Sequence, residues 1–392
     1  MAAGMNYWLS SALGVSVRKL LSSGVSILTP SSSQNEEAPS VKRAHPEFWE
    51  RRIRTLTDGT RTRCPTIRRS PNIWVNSTQP VLERQDPKRI AFLVAGRCHR
   101  YNSPMNDRVR LPIVAGSFYP AQAGVLREQL RSLLGEGFFD LSRSSTSSLG
   151  LISPHAGYMY SGSVAAMGFR KAACYGKPDV VVILGASHTG AGPQIALSPY
   201  STWATPLGKS PVDRQVTEQL LAGGFQQSAA SFAREHSLEV QLPFIQYLWG
   251  LQMSIVPLCV APGSVSVLQD AAYALVAALG DRNALVIASS DFNHFQPADV
   301  AQALDHKALD RILAQDVAGF HQVCTRNQMT ICGTAAIEML LWAATKLGMS
   351  AATLVKYATS ADITGDWSSV VGYASVVLDH RDSHCRTKET YG

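Results

Sequence analysis

Asp179-Val-Val-Val-Ile-Leu-Gly-Ala-Ser-His188-Thr-Gly190 is the stretch on which the fold turns. Five consecutive apolar residues, 180–184, include four that are β-branched, and a run of that kind reads as a strand buried on both faces of a parallel sheet. The strand runs out at Gly185, and a histidine follows three residues later among small residues. In open α/β sheets ligands bind beyond the carboxyl ends of the strands, so His188 stands where chemistry is expected. The pattern recurs twice. The apolar run 149–153 leads into Pro154-His155-Ala-Gly-Tyr158, and the run 283–290 leads into Asp291-Phe-Asn-His294. Three strands that each deliver a histidine at the same end imply a shared site.

Working outward, helical apolar spacing predicts helices over 121–134, 162–175, 211–222, 265–279, 298–313, 316–324 and 334–347. Pro211 would occupy the first turn of the third. A further helix follows Arg234-Glu-His-Ser-Leu-Glu239, with Ser237 as a candidate cap. Strands are expected at 253–258, 354–360 and 370–378, and the serine run 142–148 reads as a linker. Strands alternating with helices give α/β class, a single domain with a largely parallel central sheet flanked by helices.

Composition sets bounds. The 392 residues are 45% hydrophobic, with mean hydropathy −0.01, as expected of a globular chain with an ample core. No apolar run approaches the roughly 18–20 residues of a membrane span. The net charge of +7 is unevenly placed: residues 1–104 hold 16 Lys and Arg against 7 Asp and Glu, and the rest 20 against 22. The main body therefore gives no electrostatic reason to expect nucleic acid. Residues 1–104 also lack sustained periodicity and are expected to form a poorly ordered basic extension, with Met105 as a candidate start. The folded domain would span 105–380, with 381–392 as a tail. Seven scattered cysteines without CxxC spacing point to reduced thiols and a cytoplasmic setting.

The candidate reactive groups are His155, His188, His294 and Cys332, with Asp291, His236 and Glu239 behind them. Neutral imidazole and thiolate are ligands for iron, copper or zinc, and two histidines with one anionic group and open positions make a minimal catalytic metal site. Cys332 precedes a predicted helix, whose N-terminal dipole favours a thiolate. Each residue also has a plain structural reading: Cys332 as buried filler, Asp291 as a turn cap, Glu239 as a surface partner of Arg234. The chain lacks GxGxxG, P-loop, HExxH and GxSxG patterns, so nucleotide, zincin and serine-hydrolase chemistries have no support.

Taken in order, Pro154-His-Ala-Gly-Tyr158, Gly185-Ala-Ser-His188, Glu235-His-Ser-Leu-Glu239, Ser289-Ser-Asp-Phe-Asn-His294 and Thr330-Ile-Cys-Gly333 resemble the motifs of the Memo family. The closing Tyr357–Asp366 segment and Val370-Val-Gly-Tyr-Ala374 are similar to its prokaryotic branch, the AmmeMemoRadiSam system protein B group. The resemblance covers about residues 109–379. It implies a fold similar to the class III extradiol dioxygenases of the LigB type, which are non-haem iron enzymes. It also implies metal binding by His155, His188 and Cys332, with His294 as the acid/base candidate. The family departs from those dioxygenases by placing a cysteine where they carry a glutamate. This chain departs further, with Thr334 where animal members have Arg and Thr189 where they have a second His.

Two functions follow as expectations. One is an enzyme holding iron(II) or copper, with zinc as a third possibility, and acting on an unidentified small molecule with His294 and Asp291 moving protons. The other is a metal- or ligand-binding component without turnover, working beside the radical-SAM and AMMECR-like partners that the system's name implies.

Overall fold

The computed structural model describes residues 108–135 and 144–380. Alternation within the organising stretch makes it a central strand. Val180, Val182 and Leu184 face one hydrophobic cluster while Val181 and Ile183 face another, and all five are fully buried. Side chains of a strand point alternately to its two faces, so a continuous apolar run is stable only where both faces are covered. Each such side chain contributes about 1.5–3 kcal/mol by leaving water.

In chain order the strands are β1 (Val109–Arg110), β2 (Leu149–Ser153), β3 (Val180–Ala186), β4 (Ile195–Leu197), β5 (Thr202–Thr205) and β6 (Gly208–Pro211). They continue with β7 (Gln226–Gln227), β8 (Ile255–Val260), β9 (Ala284–Ser289), β10 (His294–Gln296), β11 (Ala351–Thr359) and β12 (Val370–Asp379). The helices are α1 (Ala123–Leu134), α2 (Tyr158–Ala173), α3 (Arg214–Ala222), α4 (Ala229–Phe232) and α5 (Leu242–Trp249). After them come α6 (Val265–Leu279), α7 (Ala298–Leu313), α8 (Val317–Arg326), α9 (Thr334–Leu347) and α10 (Ala361–Thr364).

The main sheet has the order β10-β12-β2-β9-β3-β8-β4-β7, with β11 paired to β12. Its centre, β2-β9-β3-β8, is parallel throughout, and every residue of those four strands is buried. The flanks turn antiparallel: β12 against β2, and β4 against β8. One face is covered by α1, α2 and α5 through residues such as Leu130, Phe169 and Phe244. The other is covered by α6, α7, α8 and α9 through Leu275, Leu309, Phe320 and Leu340. This is the expected α/β architecture, with parallel order running through the four central strands and recurring where β4 pairs with β7. A small sheet, β1-β5-β6, stands apart from the main one.

Several boundaries differ from the sequence expectation for physical reasons. Helix α2 begins at Tyr158, four residues before Gly162. That glycine is a packing contact, since a Cβ there would lie 3.0 Å from Leu133 of α1. Helix α3 is capped by Asp213, whose carboxylate accepts from the Val216 N–H, and Pro211 ends β6 instead of opening the helix. Ser237 does not cap α5; its hydroxyl donates to the Ala186 carbonyl at the end of β3. The later part of the serine run is not a linker. The Ser145 N–H donates to the Lys177 carbonyl, and the Ser148 hydroxyl accepts the Ala284 N–H at the start of β9.

Among the described residues no helix is long and apolar enough to cross a membrane. Cys259, Cys324 and Cys332 are free thiols. The extension at 1–104 and the tail at 381–392 lie outside the described residues.

Candidate metal centre

The order β2-β9-β3 sets the site, because three neighbouring parallel strands end side by side. His155 lies two residues beyond β2, Asp291 two beyond β9 and His188 two beyond β3. Cys332 arrives from the opposite direction, two residues before α9. Gly333 permits that approach: a Cβ there would fall 2.5 Å from Ser290 Cβ and 2.7 Å from the Ser289 carbonyl oxygen. The loop can pass this close to the end of β9 only without a side chain.

One ligand atom from each of His155, His188 and Cys332 lies within 4.8 Å of the others. Cys332 Sγ is 3.3 Å from His155 Nε2 and 3.3 Å from the Asp291 amide nitrogen, which donates to it. The two imidazoles meet edge to face with centroids 5.1 Å apart. His155 is 1% exposed, whereas the His188 side chain is 33% exposed, so the cluster opens to solvent on the His188 side.

The electrostatics follow from this packing. Burial alone would raise the Cys332 thiol, but the His155 ring, by charge and hydrogen bond, and the His188 ring outweigh it and bring the thiol down to about 5. Burial would lower His188, and hydrogen bonds and charge from Cys332 and Glu235 instead carry it up to about 11. His155 is raised as well, burial being outweighed by Cys332 and Asp291. His236 moves the other way. Burial first, then the neighbouring His155 and His188, push it down to about 3, which keeps its ring neutral.

The residues behind the donors are arranged differently from the sequence expectation. Glu235, fully buried, accepts from both the backbone N–H and Nδ1 of His188, at 2.8 and 2.9 Å. Burial opposes its ionisation, yet these His188 contacts hold its carboxyl well below the usual range. Glu239 reaches neither ligand histidine. Its oxygens are taken by the Arg110 guanidinium at 2.7 Å, the Tyr119 hydroxyl at 2.7 Å and the amides of Ile113 and Val114. It is a buried anchor for the segment entering the domain, not a surface partner of Arg234. His236 does belong to the centre, stacked on His188 at 4.7 Å and edge-on to His155 at 5.4 Å. Phe118 packs on its other side at 4.7 Å. Asp291 Oδ1 accepts the backbone N–H of His155 at 2.7 Å and of Ala156 at 3.3 Å, so it holds the loop and not a ring nitrogen.

His294 is not among the converging donors. Its backbone N–H donates to the Thr330 hydroxyl, and its Nδ1 lies 2.9 Å from the Thr330 carbonyl. A carbonyl can only accept, so Nδ1 carries the proton and Nε2 is the free nitrogen. Thr330 precedes Cys332 by two residues, which ties the His294 turn to the cysteine loop.

Two imidazole nitrogens and an activated thiol, with no fourth protein ligand converging on them among the described residues, suit iron, copper or zinc and not calcium or magnesium, which prefer oxygen donors. Glu235 and the hydroxyl of Ser289, the latter 3.0 Å from His155 Nδ1, are the residues that sequence reading missed. The signal for Glu235 lay inside the quoted motif, next to His236. Ser289 opens the quoted Ser289–His294 motif, but a neutral residue closing an apolar strand does not stand out as a partner of His155.

The fold and donor set define an α/β protein with a His/His/Cys cluster at the carboxyl ends of a parallel sheet. The chain belongs to the Memo family, whose "Memo-like protein" model matches residues 110–377. A MEMO1 family protein of Methanopyrus kandleri is 40% identical over 278 residues, covering 69% of this chain and 98% of its own length. One from Pyrobaculum aerophilum is 40% identical over 280 residues, and one from Thermotoga neapolitana 38% over 280. Each match covers 69% of this chain and 99% of the relative.

Proposed function

We propose that His155, His188 and Cys332 hold one transition-metal ion and that this centre serves a metal-dependent, dioxygenase-like oxidoreductase reaction on a small substrate. The observation that carries the reading is the convergence of the three ligand atoms within 4.8 Å. Iron(II) or copper fits the donor set and the reaction class, and zinc fits the donors alone. When bound, such an ion supplies Lewis-acid polarisation and, for iron or copper, redox chemistry.

The chain's own residues have distinct parts. Cys332 provides the anionic donor, stabilised by the Asp291 amide and by its place before α9. Glu235 fixes the His188 ring from its far side, the arrangement that orients a ligand histidine. Asp291 holds the His155 loop, and His294, with Nε2 free, accepts or returns a proton. His236, neutral and stacked on His188, walls the cluster on the Phe118 side.

A second reading is favoured by the identity of the third donor. A thiolate is oxidisable where a carboxylate is not, which suits a metal- or ligand-holding component without turnover beside radical-SAM and AMMECR-like partners in the cytoplasm. Oxygen uptake by iron-loaded, anaerobically purified protein with a panel of catechols separates the two. Substrate-dependent uptake that is lost in His294→Ala supports the enzyme. Metal binding with no uptake across the panel supports the binding component.

A further inference from the structure

We propose that Ser289, its hydroxyl proton held by the Ser237 carbonyl, is a positioning residue that sets the tautomer of His155 and so makes Nε2 the nitrogen available to a metal. The inference rests on the metal-centre reading of His155, His188 and Cys332.

The argument follows the protons. Gln241 is fully buried just before α5, and its amide nitrogen lies 2.9 Å from the Pro154 carbonyl. That carbonyl can only accept, so it fixes which end of the amide is NH2. The second N–H of the same group donates to Ser289 Oγ at 2.8 Å. Ser289 Oγ is also 2.7 Å from the Ser237 carbonyl, which again can only accept, so the serine proton lies there. What remains on Ser289 Oγ is acceptor capacity, and it faces His155 Nδ1 at 3.0 Å. Nδ1 must therefore carry the ring proton. The opposite nitrogen, Nε2, is the one 3.3 Å from Cys332 Sγ.

The location gives this relay its leverage. Ser289 ends β9, paired across to Ser153 of β2 and Gly185 of β3, and so sits between the two strands that deliver the ligand histidines. Gln241 and Ser237 both come from the segment that also provides Glu235, which sets the Nδ1 proton of His188. One short segment thus determines the donor nitrogen of both rings. Without the Ser289 hydroxyl, His155 Nδ1 loses the acceptor that holds its proton. The Nε2–H form then becomes accessible, and its proton occupies the position that a metal needs.

The test uses full-length chain labelled with 15N-histidine in the Cys332→Ala background, which has no thiolate to keep the ring charged. Long-range 1H–15N correlation of His155 should show a protonated Nδ1 and an unprotonated Nε2. Adding Ser289→Ala, which removes the acceptor, should move the ring toward the Nε2–H form, and adding Ser289→Thr, which keeps the hydroxyl, should not. Because the alanine change removes a single oxygen, it keeps the test open if the threonine variant does not fold. In chains that retain Cys332, Zn(II) competition against a chromophoric chelator should show Ser289→Ala weakening affinity about 10- to 100-fold and Ser289→Thr retaining it. An unchanged His155 tautomer in Ser289→Ala overturns the proposal, and so does unchanged Zn(II) affinity in that variant. If the parent chain binds no Zn(II), the metal reading fails by itself while the nitrogen spectra still decide the tautomer.

Discussion

Cys332 and Glu239 are both anionic groups inside the protein, and the structure gives them opposite consequences on substitution. Cys332 is enclosed by groups that favour its thiolate, and its sulfur meets the Asp291 amide and His155 Nε2. Cys332→Ala should lower metal affinity by at least about tenfold while leaving the unfolding transition close to that of the parent, read by metal competition and thermal melting. Glu239→Ala should do the reverse. It strands the Arg110 guanidinium, itself 3% exposed, and frees the amides of Ile113 and Val114. Removing one partner of a buried ion pair costs about 3–5 kcal/mol, which denaturant unfolding would register while the metal affinity of the folded fraction stays unchanged. A metal-affinity loss in Glu239→Ala without loss of stability would return that residue to the centre. His294→Ala, outside the donor cluster, should spare affinity and reduce only turnover.

Elements carry the site through close approaches at strand ends. A Cβ at Gly185 would stand 2.2 Å from Leu238 Cδ1 and 2.7 Å from Ser237 Oγ, both in the segment that positions the two histidines. Gly185→Ala should cost about 1–3 kcal/mol and weaken metal binding together with stability, because segment 235–241 must move. Retained affinity in that variant would show the segment to be dispensable for the centre.

Asp305 of α7 holds the turn before β10, accepting from the Asn293 backbone and side-chain amides and from the Tyr357 hydroxyl. Burial raises its carboxyl, and these hydrogen bonds offset that only in part. Its folded value therefore lies above the unfolded one of about 3.9. The stability linked to this group is fully present below the unfolded value and is lost as pH rises through the folded one. Asp305→Asn should remove that part of the slope in chemical denaturation run upward from about pH 4. An unchanged slope would assign the dependence to other groups.

What the sequence disclosed follows the same division. The central strands were readable because a strand covered on both faces must be apolar without interruption, and the histidines were readable because they break that rule at its end. β7 and β10, of two and three residues, have too short a pattern to register. Gly162 read as a helix boundary because a glycine chosen for a close helix contact looks the same in sequence as one chosen for a turn. Glu235 and Glu239 sit four residues apart in one motif, and only the path of segment 235–241 across β3 decides which of them meets a histidine. Ser289 and Gln241 are neutral polar residues whose burial leaves no trace in composition.

At the scale of the whole molecule, the family match at 110–377 and the described fold from Arg108 coincide. The charge excess lies before both. A chain beginning at Met105 should therefore keep the melting temperature and metal content of the full chain, compared side by side. A loss of several degrees would give the first 104 residues a structural part.

The central claim is that one metal ion is held by two imidazoles and a thiolate at the ends of β2 and β3 and the start of α9. X-ray absorption at the metal edge of the loaded full-length protein addresses it most directly. The account predicts one sulfur scatterer at about 2.3 Å and two histidine nitrogens at about 2.0–2.1 Å for zinc, with the sulfur contribution gone in Cys332→Ala. A bound metal with no sulfur neighbour, or a spectrum unchanged by that substitution, would contradict it.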